Sequence, residues 1–256
     1  MTEVNYLESL NPLQYESVCS TEGPNLIIAG AGTGKTKVLT TRVAHIIDNN
    51  LAFPSQILCV TFTNKAAREM SERVQKLVSQ NMEKMPWMGT FHSIGAKIIR
   101  NHAEVIGLKQ SFTILDKDDQ LSLIKQIIKA ENLDQSQFSP KLIQSKIDHW
   151  KNKALNPNDI KSESLDNLVD EKSLSIYKIY QARLFEINCL DFGDLLLQCI
   201  NLFKVPDIHK RYSNNFKYIH VDEYQDTNAA QYKWLKLLGS HHQNVCCVGD
   251  DDQSIY

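Results

Sequence analysis

The stretch Asn25–Thr40, NLIIAGAGTGKTKVLT, constrains the chain most. Leu26-Ile27-Ile28-Ala29 has the length and branching of a buried strand. Gly30, Gly32 and Gly34 alternate after it, then Lys35 and Thr36. An amphipathic segment follows at once, with Leu39, Val43, Ile46 and Ile47 on one helical face. Strand, glycine turn and helix together are the context of a phosphate-binding loop. Its glycines let successive N–H groups curl towards an anion, and the helix behind adds unpaired N–H groups and the positive end of its dipole. Lys35 can reach the β- and γ-phosphates, and the Thr36 hydroxyl can ligate Mg²⁺. The strict pattern begins with glycine, whereas Ala29 stands there. The loop is therefore Ala29, Gly30, Ala31, Gly32, Thr33, Gly34, Lys35, Thr36. This stretch does not decide between ATP and GTP.

Composition narrows the partners. There are 28 basic and 30 acidic residues, so a nucleic acid must be held by local patches and not by a global basic field. No apolar run is long enough to span a membrane, and the N-terminal residues carry no secretion signal. The six cysteines make no C-x-x-C pair and read as buried reduced thiols of a cytoplasmic protein.

Along the chain, Asn11-Pro12 marks a turn or a helix start. Gln14 offers the paired donor and acceptor that an adenine edge needs. Ile57–Thr61 reads as a second buried strand, followed by a helix with Ala67, Met70, Val74 and Leu77 on its core face and Asn64 as its N-cap. Phe62 reads from spacing alone as a core aromatic; a base-stacking platform is the other reading. Trp87–His92 repeats the strand-to-helix pattern, with Thr90 and His92 as phosphate donors or merely capping residues. Phe112–Leu115 is a further short strand.

From Asp116 to about residue 188 the texture is helical, which predicts an inserted subdomain at 115–190 between 1–114 and 191–256. Asp116 caps its first helix. Lys141, Lys146, Lys151 and Lys153 surround Trp150, and a solvated face is favoured for them over a nucleic-acid contact. Leu190–Leu196 is read as the start of an amphipathic helix whose acids cap it.

Lys217–Glu223 is a strand ending in two carboxylates. That pair divides labour in nucleotide hydrolysis: Asp222 binds Mg²⁺, and Glu223 orients or deprotonates the attacking water. His220 stands where an aliphatic residue is expected. The last apolar strand delivers three acids, then Gln253, which can bond a γ-phosphate, and Tyr256, which can stack on a base.

Together, Leu10–Gln14, Ala29–Thr36, Val60–Ala67, Gly89–His92, Asp191–Leu196, Val221–Asn228 and Val248–Tyr256 resemble the ordered motifs of the UvrD/Rep/PcrA family of superfamily-one DNA helicases. The resemblance implies an α/β fold: a RecA-like P-loop NTPase domain with a parallel sheet, interrupted by an all-helical insertion. It implies ATP with Mg²⁺, Gln14 reading adenine, and catalytic roles for Lys35, Glu223 and Gln253. Phe62, Thr63, Asn64, Thr90, His92 and Tyr256 would line the path of single-stranded DNA. Family members move 3′ to 5′ on one strand and unwind duplex from single-strand/duplex junctions, typically in DNA repair, which implies a nucleoid-associated cytoplasmic protein. Two departures stand out. Lys37 follows G-K-T where family members usually carry an arginine that stacks on adenine. The family motif also continues past Tyr256, so a second RecA-like domain with γ-phosphate arginines is expected in the rest of the helicase chain. The competing reading is a module that binds ATP or single-stranded DNA without motor activity.

Overall fold

The computed structural model describes residues 6–78, 85–161, 165 and 167–250. In chain order the elements are α1 (Pro12–Cys19), β1 (Asn25–Ile28), α2 (Lys35–Asp48), β2 (Ile57–Thr61), α3 (Asn64–Leu77), β3 (Met88–Thr90), α4 (Phe91–Asn101), β4 (Thr113–Leu115), α5 (Lys117–Ala130), α6 (Pro140–Asn152), α7 (Leu168–Glu186), β5 (Cys189–Asp191), α8 (Asp194–Leu202), α9 (Pro206–Asn215), β6 (Tyr218–Val221), α10 (Ala229–Leu238) and β7 (Val245–Gly249).

The chain divides into two compact units. The first takes residues 1–94, 206–227 and 235–256. Its sheet has the order β1-β7-β6-β2-β3, with every pairing parallel. Parallel strands need helical crossovers, which cover the sheet and require apolar strands. Accordingly β2 and β6 are buried throughout. On one face Leu39, Val43 and Ile46 of α2 and Met70 and Val74 of α3 pack against Ile57, Cys59, Tyr218, Cys246 and Val248. His220 is in register with Cys59 and Cys246 on neighbouring strands. Burial holds its imidazole in the neutral form, with the pKa pushed down to about 3. The cysteines are free thiols, and Cys59 and Cys246 are buried. Among the described residues no helix is long and apolar enough to cross a membrane.

The second unit comprises residues 95–205 and 228–234. Its boundaries differ from the texture change at 115 and 190. The reason is that β4 and β5 pair with each other, Thr113 opposite Cys189 and Leu115 opposite Asp191, in a separate two-stranded parallel sheet. The unit is therefore not all-helical, and Asp191 ends a strand before α8 begins. Its core is built from Ile124 and Ile128 of α5, Ile143 and Ile147 of α6, and Tyr177, Tyr180 and Leu184 of α7. Asp116 does cap α5, accepting from the N–H groups of Asp118 and Asp119. At α3 the cap is Thr63, which accepts from the Ala66 N–H; Asn64 is the first helical residue. A β-region backbone at Thr63 suits an N-cap and corrects the assignment to Asn64.

Candidate nucleotide site

Because all five strands of the first unit run parallel, their carboxyl ends share one edge, where open α/β sheets bind ligands. Register pairs Ile28 with Gly249 and Val221 with Cys247. The chain segments leaving β1, β6 and β7 are therefore neighbours, although more than two hundred residues separate the first from the last.

The loop after β1 is built by its glycines at two points. Gly32 (φ 76°) and Gly34 (φ 90°) occupy the left-handed region, open to glycine without a Cβ penalty. The Thr33 hydroxyl donates to Gly30 O at 2.8 Å, which ties the loop to itself. Gly34 caps α2 without a side-chain hydrogen bond, so no capping side chain competes with an anion for the first-turn N–H groups. The Lys35 ammonium donates to Ala29 O at 2.9 Å and pairs with the Asp250 carboxylate at 2.7 Å. Thr36 is the second residue of α2, half-buried beside it.

The acids after β6 lie at the same edge. Asp222 is 4% exposed, and its pKa is raised to about 6, first by desolvation and then by the neighbouring Glu223 charge; Lys35 and Arg73 pull it back down. Glu223 has φ 53° and ψ 46°, a left-handed conformation that costs a non-glycine residue on the order of 1 kcal/mol or more. That conformation turns the chain sharply at the end of the strand. Gln225 then donates from Nε2 to Glu223 Oε2 at 2.6 Å and accepts the Asp250 N–H on Oε1 at 3.1 Å.

Gln14 touches the loop itself. Its Nε2 donates to Thr33 O at 3.0 Å, while its Oε1 accepts from the Asn11 N–H in a capping box. The exposed Lys37 donates to Ser9 O at 2.6 Å. Gln253 and Tyr256 lie outside the described residues.

Of the residues assigned to single-stranded DNA, the described ones lie at the ends of β2 and β3, which are at the other end of the sheet from β1. Phe62 is half-buried, its ring 5.5 Å from that of Phe91. Thr63 and Asn64 are exposed. Thr90 is buried, and its hydroxyl oxygen accepts the Ser93 N–H at 3.1 Å, closing the first turn of α4. His92 is half-buried, and desolvation lowers its pKa. One edge thus holds two neighbourhoods: β1, β7 and β6 carry the charged groups, and β2 and β3 carry aromatics, amides and hydroxyls.

Sequence reasoning missed Asp250 as the partner of Lys35, and Gln225. The bonds of Asp250 to Lys35 and to Gln225 have no local signature, because they depend on β7 lying between β1 and β6. It also misjudged Lys151. That lysine is completely buried in the second unit, 2.7 Å from Asp191 and 2.8 Å from Asp194, so it neither faces solvent nor touches nucleic acid. Among the described residues no three His, Cys, Asp or Glu side chains are placed to hold a metal ion. Mg²⁺ does not require such a cage: one carboxylate, a hydroxyl and phosphate oxygens suffice.

A parallel α/β sheet whose first strand feeds a glycine loop, and whose central strand ends in paired acids, defines a RecA-like P-loop NTPase domain. The chain belongs to the UvrD/REP helicase family: residues 10–256 match the model of the UvrD/REP helicase N-terminal domain. It is 49% identical to DNA helicase II of Rickettsia typhi over 260 residues, covering 100% of this chain and 39% of that protein. It is also 49% identical to the ATP-dependent DNA helicase PcrA of Staphylococcus aureus over 251 residues, covering 98% of this chain and 34% of the relative. A probable DNA helicase II homolog of Rickettsia felis is 48% identical, with 98% and 38% covered. The chain spans little more than a third of these relatives.

Proposed function

We propose that this chain is the N-terminal, nucleotide-cleaving part of an ATP-dependent DNA helicase. The supporting observation is the convergence of Lys35, Asp222, Glu223 and Asp250 at one sheet edge, in a chain whose relatives are named ATP-dependent DNA helicases.

Ala29–Thr36 and the first turn of α2 hold the triphosphate of ATP, and Lys35 leaves Asp250 to neutralise phosphate charge. The Thr36 hydroxyl and Asp222 hold Mg²⁺; the residues fit, since Asp222 is a buried carboxylate with few partners. The metal supplies charge neutralisation on the phosphate oxygens. Glu223 accepts the proton of the attacking water, and Gln253 senses the γ-phosphate. Gln14 and Lys37 contact the adenine. Phe62, Thr63, Asn64, Thr90, His92 and Tyr256 line the path of single-stranded DNA, entered from single-strand/duplex junctions on the nucleoid. The rest of the helicase chain contributes a second RecA-like domain whose arginines complete the site. In this reading the RecA-like part expected at 1–114 with 191–256 corresponds to the first compact unit, and the insertion expected at 115–190 to the second.

The test is DNA-stimulated ATP turnover by the full-length protein, with nucleotide affinity measured separately. Glu223→Gln is expected to lower turnover by about 10²–10⁴-fold while ATP affinity stays within a few fold. Lys35→Ala is expected to lose both. Wild-type turnover by Glu223→Gln would overturn the assignment.

A further inference from the structure

We propose that Gln225 is a positioning residue that holds the Glu223 carboxylate for hydrolysis and ties it to the segment after β7. The inference rests on the reading of Glu223 given above.

Three observations carry it. First, the two ends of the Gln225 amide are used on different strand ends. Nε2 donates to Glu223 Oε2 at 2.6 Å, and Oε1 accepts the Asp250 N–H at 3.1 Å. An amide offers a donor and an acceptor on separate atoms of one planar group; a carboxylate lacks the donor and an aliphatic side chain lacks both. Second, the fold makes room for it. A Cβ on Gly249 would stand 3.1 Å from Gln225 Oε1 and 3.5 Å from its backbone N, so the glycine before Asp250 allows the amide to lie flat against β7. Third, the bonded chain reaches the phosphate loop. Asp250 pairs with Lys35, which in turn holds Ala29 O. The order is Ala29, Lys35, Asp250, Gln225, Glu223, so one continuous set of polar contacts links the loop to the acid.

The physical consequence concerns orientation. Glu223 sits at a left-handed turn and is half-buried, and its side chain has several rotamers. A short bond from a fixed amide selects one of them. When nucleotide draws Lys35 towards its phosphates, Asp250 is released from the lysine. Its backbone N–H still holds Gln225, so the acid keeps its orientation while the loop engages ligand. Misplacement of a reacting group by about 1 Å costs roughly 100-fold in rate, and that is the effect expected from removing the amide.

The experiment measures DNA-stimulated ATP turnover and nucleotide affinity in the full-length protein for Gln225→Leu, Gln225→Glu, Glu223→Gln and the double variant Gln225→Leu with Glu223→Gln. Both Gln225 variants should lose roughly 10- to 100-fold in kcat, with ATP affinity within threefold of the original. Gln225→Glu should do no better than Gln225→Leu, because it keeps only the acceptor and sets a second carboxylate against Glu223. In the Glu223→Gln background, Gln225→Leu should add less than threefold, since the group it positions is already gone. Near-normal kcat in either single variant, equal losses in kcat and affinity, or losses that multiply in the double variant would each overturn the proposal. Glu223→Gln separates the two readings. If it is active, the role of Glu223 fails; if it is inactive while Gln225→Leu is active, only the positioning role fails.

Discussion

Among the described residues, the surroundings of Lys151 and of Lys35 each set a lysine among carboxylates, and they differ in how completely the charges are satisfied. In the second unit Lys151 is wholly buried between Asp191 and Asp194. Asp191 Oδ2 also accepts from Tyr180 and Gln120, and its Oδ1 accepts the Asp194 N–H. Asp194 takes a further bond from Gln181. The rings of Tyr177 and Tyr180 lie 5.6 and 5.2 Å from the ammonium. Burial alone would lower the Lys151 pKa, but the two carboxylates outweigh it and raise it; the ammonium in turn outweighs burial at Asp191 and lowers that pKa. At the sheet edge of the first unit Asp222 is also buried, yet among the described residues its carboxylate accepts only from the Glu223 N–H, at 3.2 Å. Its nearest charged neighbour in sequence has the same sign, and the chain beside it is left-handed. The same ingredients thus make a closed structural core in one place and a thinly coordinated, strained edge in the other. Completeness of hydrogen bonding, rather than burial, separates them.

The largest expected effect comes from breaking the closed cluster. Lys151→Met keeps the aliphatic stem and leaves two buried carboxylates without a cation. It should cost about 3–5 kcal/mol in urea unfolding of the full-length protein. Adding Asp191→Asn and Asp194→Asn to Lys151→Met should restore part of that loss, because the stranded charges are then gone. A cost below about 1 kcal/mol for Lys151→Met would show that the cluster tolerates an unpaired charge, and the contrast would fail.

The next effect has the opposite sign. The folded Asp222 carboxyl keeps its proton up to about 6, against the usual 3.8. A raised carboxyl pKa means that the folded state binds the proton more tightly, so its stability falls as pH rises from 3.8 to about 6 and stays lower above that. Asp222→Asn removes this penalty. Without nucleotide, the variant should be more stable than the parent at pH 7.5 by on the order of 2 kcal/mol, with little difference at pH 4. Asp194, raised to about 6 by burial and then by the Asp191 charge, contributes a slope of the same sign over the same window, so the substitution flattens the profile without abolishing it. Thermal unfolding at the two pH values measures it. An Asp222→Asn variant destabilised at pH 7.5 would mean that the carboxylate is well served where it sits.

The contrast also explains what was readable from residue order. Strand, glycine loop and helix at Asn25–Thr40 are local, as are the capping residue Asp116 and the apolar runs Ile57–Thr61 and Tyr218–Val221; period and punctuation carry them. Lys35, Asp222 and Glu223 were singled out from local signatures, a glycine loop after an apolar run and a strand ending in two adjacent acids. The bonds from Asp250 to Lys35 and to Gln225 were not, because they cross between strand ends that only the order β1-β7-β6 brings together. Lys151 was misjudged for the same reason. Its spacing with Lys141, Lys146 and Lys153 suggests a solvated helix face, while its partners arrive from a strand end and the start of α8. The unit boundaries differ because β4 and β5 pair with each other, and because the end of α4 meets α8, where the Cys199 thiol donates to Gly95 O; composition reveals neither.

The smallest effect tests the rim of the open site, where charge is exposed and substitutions are mild. Lys37 stands where the resemblance implies an arginine, and its ammonium donates to Ser9 O. An arginine there has donors enough to keep that bond and a planar face to stack on a base. An exposed cation–π contact contributes about 0.5–1 kcal/mol. Lys37→Arg should therefore tighten ATP by about two- to fivefold and change unfolding stability by less than about 0.5 kcal/mol. Titration with a fluorescent ATP analogue against the parent protein measures it, with GTP as the control for base stacking in general. Weaker ATP binding by Lys37→Arg would show that the lysine's bond to Ser9, and not any contact with the base, is what this position contributes. The rim would then resemble the closed cluster, with a lysine fixed by its own chain.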